Sequence, residues 1–297
     1  MRKITYLYNM LIKSLSSRSL KSPFGFKVLL LTAGLFIAFI AIGLAKNKPV
    51  HQLTVQVKPQ VMEWTIDGKV RKALVYIPAT AKTKVTPLIF LYHAHGGNMQ
   101  NIFNTHKFDQ LWPEAITICP QGLNTPGELT DKEGNLPGWQ MAADAGNTDL
   151  QFFDAMFKTL QDDYMVDAKR IYVTGHSNGG SFTYLLWATR GDTFAAFAPT
   201  AAIGAKLMAM LKPKPALLLM GETDLLVKPE WQRLTCNYIL KLNKCDVNAG
   251  EKVAQYATLY PSATRNPFII YSHPGGHAYP PEANAVIIDF FKKQMKP

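Results

Sequence analysis

The chain has 297 residues, 47% of them hydrophobic and 18% charged, with a formal net charge of +11. A chain of that length can bury one large core and need not divide into two. Six of the positive charges (Arg2, Lys3, Lys13, Arg18, Lys21 and Lys27) sit in residues 1–27, which hold no acid. The remainder is only mildly basic and has no Arg/Lys stripe interleaved with aromatics, which argues against nucleic acid as a partner.

Behind this basic leader, Val28–Ala45 runs eighteen residues without a charge. That length suits either a short membrane anchor or the core of a signal peptide. Gly43-Leu44-Ala45 offers small residues where a signal peptidase reads, whereas the long basic segment favours an uncleaved anchor; the two alternatives stay open. Both place positive charge inside and everything after Lys46 outside, in the periplasm or beyond the cell. If the leader is retained, the membrane is a partner through residues 28–45.

Lys46–Gln52 reads as a linker, and residues 53–297 as one domain. Leu53–Val57, Val61–Ile66 and Lys72–Pro78 alternate in polarity around an Asp67-Gly68 turn, which predicts antiparallel strands. The pattern then changes to buried strand, loop, helix. Strands are predicted at Leu88–His93, Ala115–Cys119, Ile171–Thr174, Ala195–Ala198, Ala216–Met220 and Phe268–Tyr271. Helices are predicted at Asp149–Tyr164, Gly180–Arg190, Lys228–Leu242 and Glu282–Lys293. Continuous apolar strands alternating with helices predict an α/β domain, mostly parallel and helix-covered on both faces, with antiparallel strands at its start. Gly122–Gly138, rich in Gly, Pro and Asn, is predicted as a long functional loop. Of the three cysteines, Cys119 ends a strand as a buried thiol. Cys236 and Cys245 could bridge only if a turn separates them, because one continuous helix would hold them too far apart.

The strand Ile171–Thr174 leads straight into Gly175-His176-Ser177-Asn178-Gly179-Gly180. Gly-x-Ser-x-Gly between a strand and a helix is a nucleophile elbow: the turn is too tight for side chains at the glycines and leaves the serine hydroxyl exposed. Ser177 is therefore the candidate nucleophile. A serine needs a base, and in hydrolases with this elbow the acid and histidine follow it in sequence. Asp224 emerges from the strand ending at Met220, with Glu222 as the fallback acid and a helix cap as the bland alternative. His277 follows a Pro274-Gly275-Gly276 arch and competes with His273 at the strand end; the arch favours His277. The amides of Asn178 and His95 are the candidate oxyanion hole, with Gly96 shaping the loop. His51, His106 and His176 read as spacer, surface loop and elbow filler. His93-Ala94-His95 has the alternation of a metal pair but lacks nearby further ligands, so neither metal nor cofactor is expected.

Several motifs in order resemble the polyhydroxybutyrate depolymerase-like and feruloyl or acetyl-xylan esterase-like α/β-hydrolases. They are His93–Asn98, Pro120-Gln121-Gly122-Leu123, Pro137-Gly138-Trp139-Gln140, Asp149 opening a helix, Val166–Tyr172 entering the elbow, Phe194–Pro199, Gly221–Asp224 and Gly275-Gly276-His277. The resemblance runs from about Lys72 to the C-terminus. It implies the α/β-hydrolase fold, a cofactor-free serine esterase acting through Ser177, Asp224 and His277, and Trp139 lining the acyl side of the pocket. Trp139 pinning the long loop is the alternative. The family usually has His-Gly where this chain has His93-Ala94, and a small residue where it has His95. No stretch reads as a separate polymer-binding domain, so the expected substrate is a small or oligomeric soluble ester. A peptidase or thioesterase on the same triad, or a silent hydrolase-fold binder, are the rival expectations.

Overall fold

The computed structural model describes residues 57–127 and 129–297. The basic leader, the apolar run 28–45, His51 and all but the last residue of the expected strand Leu53–Val57 lie outside the described residues. No helix among the described residues is long and apolar enough to cross a membrane.

A ten-stranded sheet organises the described chain. Strand β1 (Gln60–Ile66) turns at Asp67-Gly68, both at positive φ, into β2 (Lys69–Tyr76), and the two pair antiparallel. The next strands are β3 (Thr86–Tyr92), β4 (Ile116–Pro120), β7 (Val166–His176), β8 (Ala196–Thr200), β9 (Ala216–Gly221) and β12 (Phe268–His273). Two-residue strands β5 (Leu123–Asn124) and β6 (Pro137–Gly138) pair separately at the ends of the long loop. A short antiparallel pair, β10 (Glu251–Ala254) and β11 (Ala257–Tyr260), completes the far edge. The sheet order is β1-β2-β4-β3-β7-β8-β9-β12-β11-β10. From β4 through β12 every neighbour is parallel, so all these strands deliver their following loops to one edge.

The central strands are largely apolar where both faces are covered: β3, β8 and β9 are buried along their whole length, and β7 from Ile171 to Gly175. Leu88, Phe90 and Tyr92 point into one core, shared with Leu218 and Met220. Ile89 and Leu91 point into the other, shared with Leu217 and Leu219. The first core is roofed by α3 (Thr148–Asp163), α4 (Asn178–Arg190) and α5 (Pro229–Leu242), the second by α1 (Met99–His106) and α6 (Ala283–Lys292). A single turn, α2 (Phe108–Leu111), follows α1.

The predicted sheet and its four long helices are thus present. Helix α1 and the β10–β11 pair were not foreseen. All three cysteines are free. Cys236 lies on the buried face of α5, which runs unbroken to Leu242, while Cys245 follows the helix end with its Sγ 3.8 Å from the Asn266 carbonyl. A turn at Asn243-Lys244 does separate the two cysteines, yet it sends Cys245 toward Asn266 and leaves both thiols free. Burial pushes the Cys236 thiol up to about 12.

Candidate active site

Ser177 is the hinge between β7 and α4, with φ 55° and ψ −116°. An L-residue holds that left-handed geometry only where its surroundings enforce it. Here the Ser177 amide donates to the Thr200 carbonyl at 2.9 Å, tying the elbow to β8. A Cβ on Gly175 would stand 2.5 Å from the Gly179 carbonyl oxygen, and one on Gly179 would collide with the Tyr92 carbonyl. Both glycines are therefore required by close packing, and the serine hydroxyl is what remains exposed.

The acid and base loops leave adjacent strands. β9 and β12 pair with Gly221 opposite His273, and beyond them the loops stay laced together. Glu222 N–H donates to His273 O at 2.8 Å, Thr223 N–H to Gly275 O at 3.1 Å, and the Thr223 hydroxyl to Pro274 O at 3.2 Å. Gly221 passes so close to Gly276 that a Cβ would overlap its carbonyl. This lacing carries His277 across to the elbow.

His277 Nδ1 lies 2.8 Å from Asp224 Oδ2, and its Nε2 lies 2.8 Å from Ser177 Oγ. A carboxylate can only accept, so Nδ1 carries the proton and Nε2 presents a lone pair to the hydroxyl. Asp224 is buried, and its two oxygens divide the work. Oδ1 accepts from the amides of Leu226 and Val227, at 2.8 and 2.9 Å, and Oδ2 faces the imidazole while Gln232 Nε2 approaches it at 3.3 Å. Both amides lie in the turn before α5, whose N-cap is Lys228 with no side-chain bond, so Asp224 stands in the triad position and does not cap the helix. Glu222 is exposed and accepts from the Ser272 hydroxyl, and His273 is buried with Nδ1 accepting from Gly275 N–H. Neither approaches Ser177.

The candidate oxyanion loop follows β3. Among the described residues, the amides of His95 and Asn178 have no hydrogen-bond acceptor. The direction of the His95 N–H is set by its own peptide, since the Ala94 carbonyl points the opposite way across a trans bond. That carbonyl accepts from His93 Nδ1 at 2.7 Å and from Gly97 N–H at 2.9 Å. His93 Nε2 in turn accepts from Gly122 N–H at 2.9 Å, which fixes the tautomer. Burial pushes His93 down to about 4, so at neutral pH it serves as an uncharged strut. The His93 and His95 rings diverge, the first toward Gly122 and the second toward Asp131.

Trp139 is placed differently from the pocket wall that the family resemblance implied. Its indole is 1% exposed, donates Nε1–H to the His93 carbonyl at 2.8 Å, and packs against Tyr92 and Phe182. Its amide donates to Asn178 Oδ1 at 2.8 Å. Sealed from solvent, the ring pins the long loop to the elbow.

Two histidines read as bland stand directly behind the site. His176 lies with its ring centroid 5.2 Å from that of His277, and Tyr279 meets His176 edge-on at 5.7 Å. Tyr279 stacks at 4.2 Å on His106, which is buried in α1 rather than on a surface loop. Because the Thr200 hydroxyl donates to Gly175 O, it accepts from His176 Nδ1–H. Burial, then the neighbouring His277, pushes His176 down to about 4, and burial pushes His106 down to about 3. An uncharged stack therefore backs the imidazole. Only the position of His176 inside the elbow signalled it; nothing local marked His106.

A family model described as the prolyl oligopeptidase family matches residues 139–247. Feruloyl esterase C of Emericella nidulans is 33% identical over 117 residues, covering 37% of each chain. Feruloyl esterase D of Neurospora crassa is 28% identical over 153 residues, covering 47% of this chain and 48% of that one. The matches thus span less than half the length of these curated relatives. Among solved structures, an acetyl xylan esterase from Aspergillus awamori superposes with a TM-score of 0.61 at 14% identity, covering 78% of this chain and 99% of that one. An S-formylglutathione hydrolase from Agrobacterium tumefaciens gives 0.59 at 11%, covering 80% and 95%. By fold the chain is an α/β-hydrolase, and over less than half of its length it resembles the feruloyl esterases in sequence.

Proposed function

We propose that this chain is an exported serine hydrolase of carboxylic esters, working through an acyl-serine. The observation that carries the reading is the unbroken run Asp224–His277–Ser177, joined by two 2.8 Å contacts. His277 Nε2 takes the Ser177 proton as Oγ adds to the ester carbonyl, and Asp224 stabilises the imidazolium that results. The carbonyl oxygen becomes an oxyanion facing the His95 and Asn178 amides. Collapse expels the alkoxide, which leaves as the alcohol with the proton from His277. Water, deprotonated by the same imidazole, then attacks the acyl-serine and releases the acid. The scheme uses no cofactor.

The relatives' names support aryl or acetyl esters of small or oligomeric alcohols as the first substrates to test. A panel of methyl ferulate, p-nitrophenyl acetate, methyl 3-hydroxybutyrate and a peptide p-nitroanilide separates the readings. Hydrolysis of one or more esters, with far slower anilide cleavage, is the expected result. Preferential anilide cleavage would move the assignment to the peptidase that the prolyl oligopeptidase match favours. An inert folded protein that also refuses a fluorophosphonate would leave the silent binder.

Export rests on the apolar run 28–45 behind six basic residues. Protease added to intact spheroplasts should digest the residues after Lys46, and their complete protection would refute export.

A further inference from the structure

We propose that Asp131 is a positioning residue for the oxyanion-binding amide and acts through the side chain of His95. The inference rests on the esterase reading above. Its starting point is the His95 side chain, whose ring the long loop encloses.

The His95 ring is clamped rather than free. Its Nε2 lies 3.0 Å from Asp131 Oδ2, and the two side chains are 10% and 9% exposed. The carboxylate is itself held, because Oδ2 also accepts from Leu136 N–H at 2.9 Å and Oδ1 from Asn135 N–H at 3.2 Å. The Asp131 backbone pairs with Gly127 in both directions, at 2.7 and 3.3 Å. Burial pushes the Asp131 carboxyl up, but the hydrogen bonds from His95, Asn135 and Leu136 outweigh it and hold it below the ordinary value.

The ring also fills space that the long loop leaves for it. A Cβ on Gly127 would stand 3.0 Å from His95 Cε1, and one on Gly138 would stand 2.5 Å from Nδ1 and 3.1 Å from Asn178 Oδ1. The imidazole therefore abuts Gly138 in the strand that closes the loop, and the Asn178 side chain reaches the same glycine. On its other side the loop is tied by Gly96 N–H to Pro137 O at 2.7 Å. His93 sets the plane of the Ala94–His95 peptide, as described above. The His95 side chain sets how far that peptide stands from the elbow, and Asp131 holds the side chain.

An oxyanion donor acts only within about 0.4 Å of its ideal distance, so a loosened amide costs rate without costing substrate binding. In the full-length chain, Asp131→Ala should lower kcat on p-nitrophenyl acetate by about 10- to 30-fold while KM moves less than about twofold. Inhibition by phenylboronic acid, whose Ser177 adduct places an oxygen in the hole, should weaken in parallel. Asp131→Asn, which keeps the shape and one acceptor, should show a smaller loss in the same direction with an unchanged thermal midpoint. In a His95→Ala background, Asp131→Ala should add nothing, because the two side chains act as a unit.

Unchanged kcat and boronate inhibition in an active wild-type background would overturn the inference alone, as would a full repeat of the loss without His95. A wild-type chain inert to both ester and fluorophosphonate would overturn the esterase reading and this inference with it.

Discussion

Ser177→Ala lowers kcat/KM for any ester the panel identifies by about four to six orders of magnitude, and His277→Ala by a comparable amount. The magnitude follows from what each deletion leaves. Without Oγ there is no atom to acylate, and only water oriented near the His95 and Asn178 amides remains. Without the imidazole, Oγ keeps its proton and the leaving alkoxide has no donor. The double variant is expected to be no slower than either single one, because Ser177 and His277 are two ends of one proton transfer. Initial rates on purified, folded variants measure this. A loss below about a hundredfold for either single variant, or losses that multiply, would mean that the 2.8 Å contacts are not the reacting pair.

The second large effect concerns stability. Arg71→Met should destabilise the domain by about 3–5 kcal/mol, a large share of the roughly 5–15 kcal/mol typical of a folded domain. Arg71, on β2, is 1% exposed, and its Nη2 lies 2.6 Å from Asp149 Oδ1 in the first turn of α3. Its guanidinium carbon sits 4.4 Å over the Phe152 ring. Removing the cation strands a buried carboxylate, and that penalty, rather than the lost attraction, dominates. The consequence reaches the site because Asp149 Oδ2 accepts Gln140 N–H at 2.8 Å, next to the Trp139 pin. Urea unfolding of Arg71→Met alongside Arg71→Met/Asp149→Leu checks the argument. The double variant should recover part of the loss, short of all of it, since Gln140 N–H loses its acceptor. A single variant within about 1 kcal/mol of wild type would contradict it.

The sheet and the triad were legible because their signals are local. A strand segment buried on both faces must be largely apolar, and β3, β9 and the Ile171–Val173 stretch of β7 are. The elbow glycines and the Pro-Gly-Gly arch mark where the chain turns too tightly for side chains. Helix α1 was not legible: its eight residues bury only Ile102, Phe103 and His106, and its start is marked by a single Asn98 cap. The β10–β11 pair is similarly short, β10 mostly exposed and β11 mostly half-buried, so no alternation stood out. Trp139, His106 and His95 share a different difficulty. What surrounds an aromatic or imidazole ring is decided by partners far away in sequence, 36 positions for His95 and Asp131. Their residue types are visible in the string of letters, but their environments are not.

The parallel ladder from β7 to β12 has one more consequence. The nucleophile and the acid stand two strands apart, and β8 between them supplies no reacting group, only the Thr200 carbonyl and hydroxyl that steady the elbow. Neighbouring strands keep a nearly fixed lateral pitch of about 4.8 Å. The separation of the reacting groups is thus inherited from backbone periodicity.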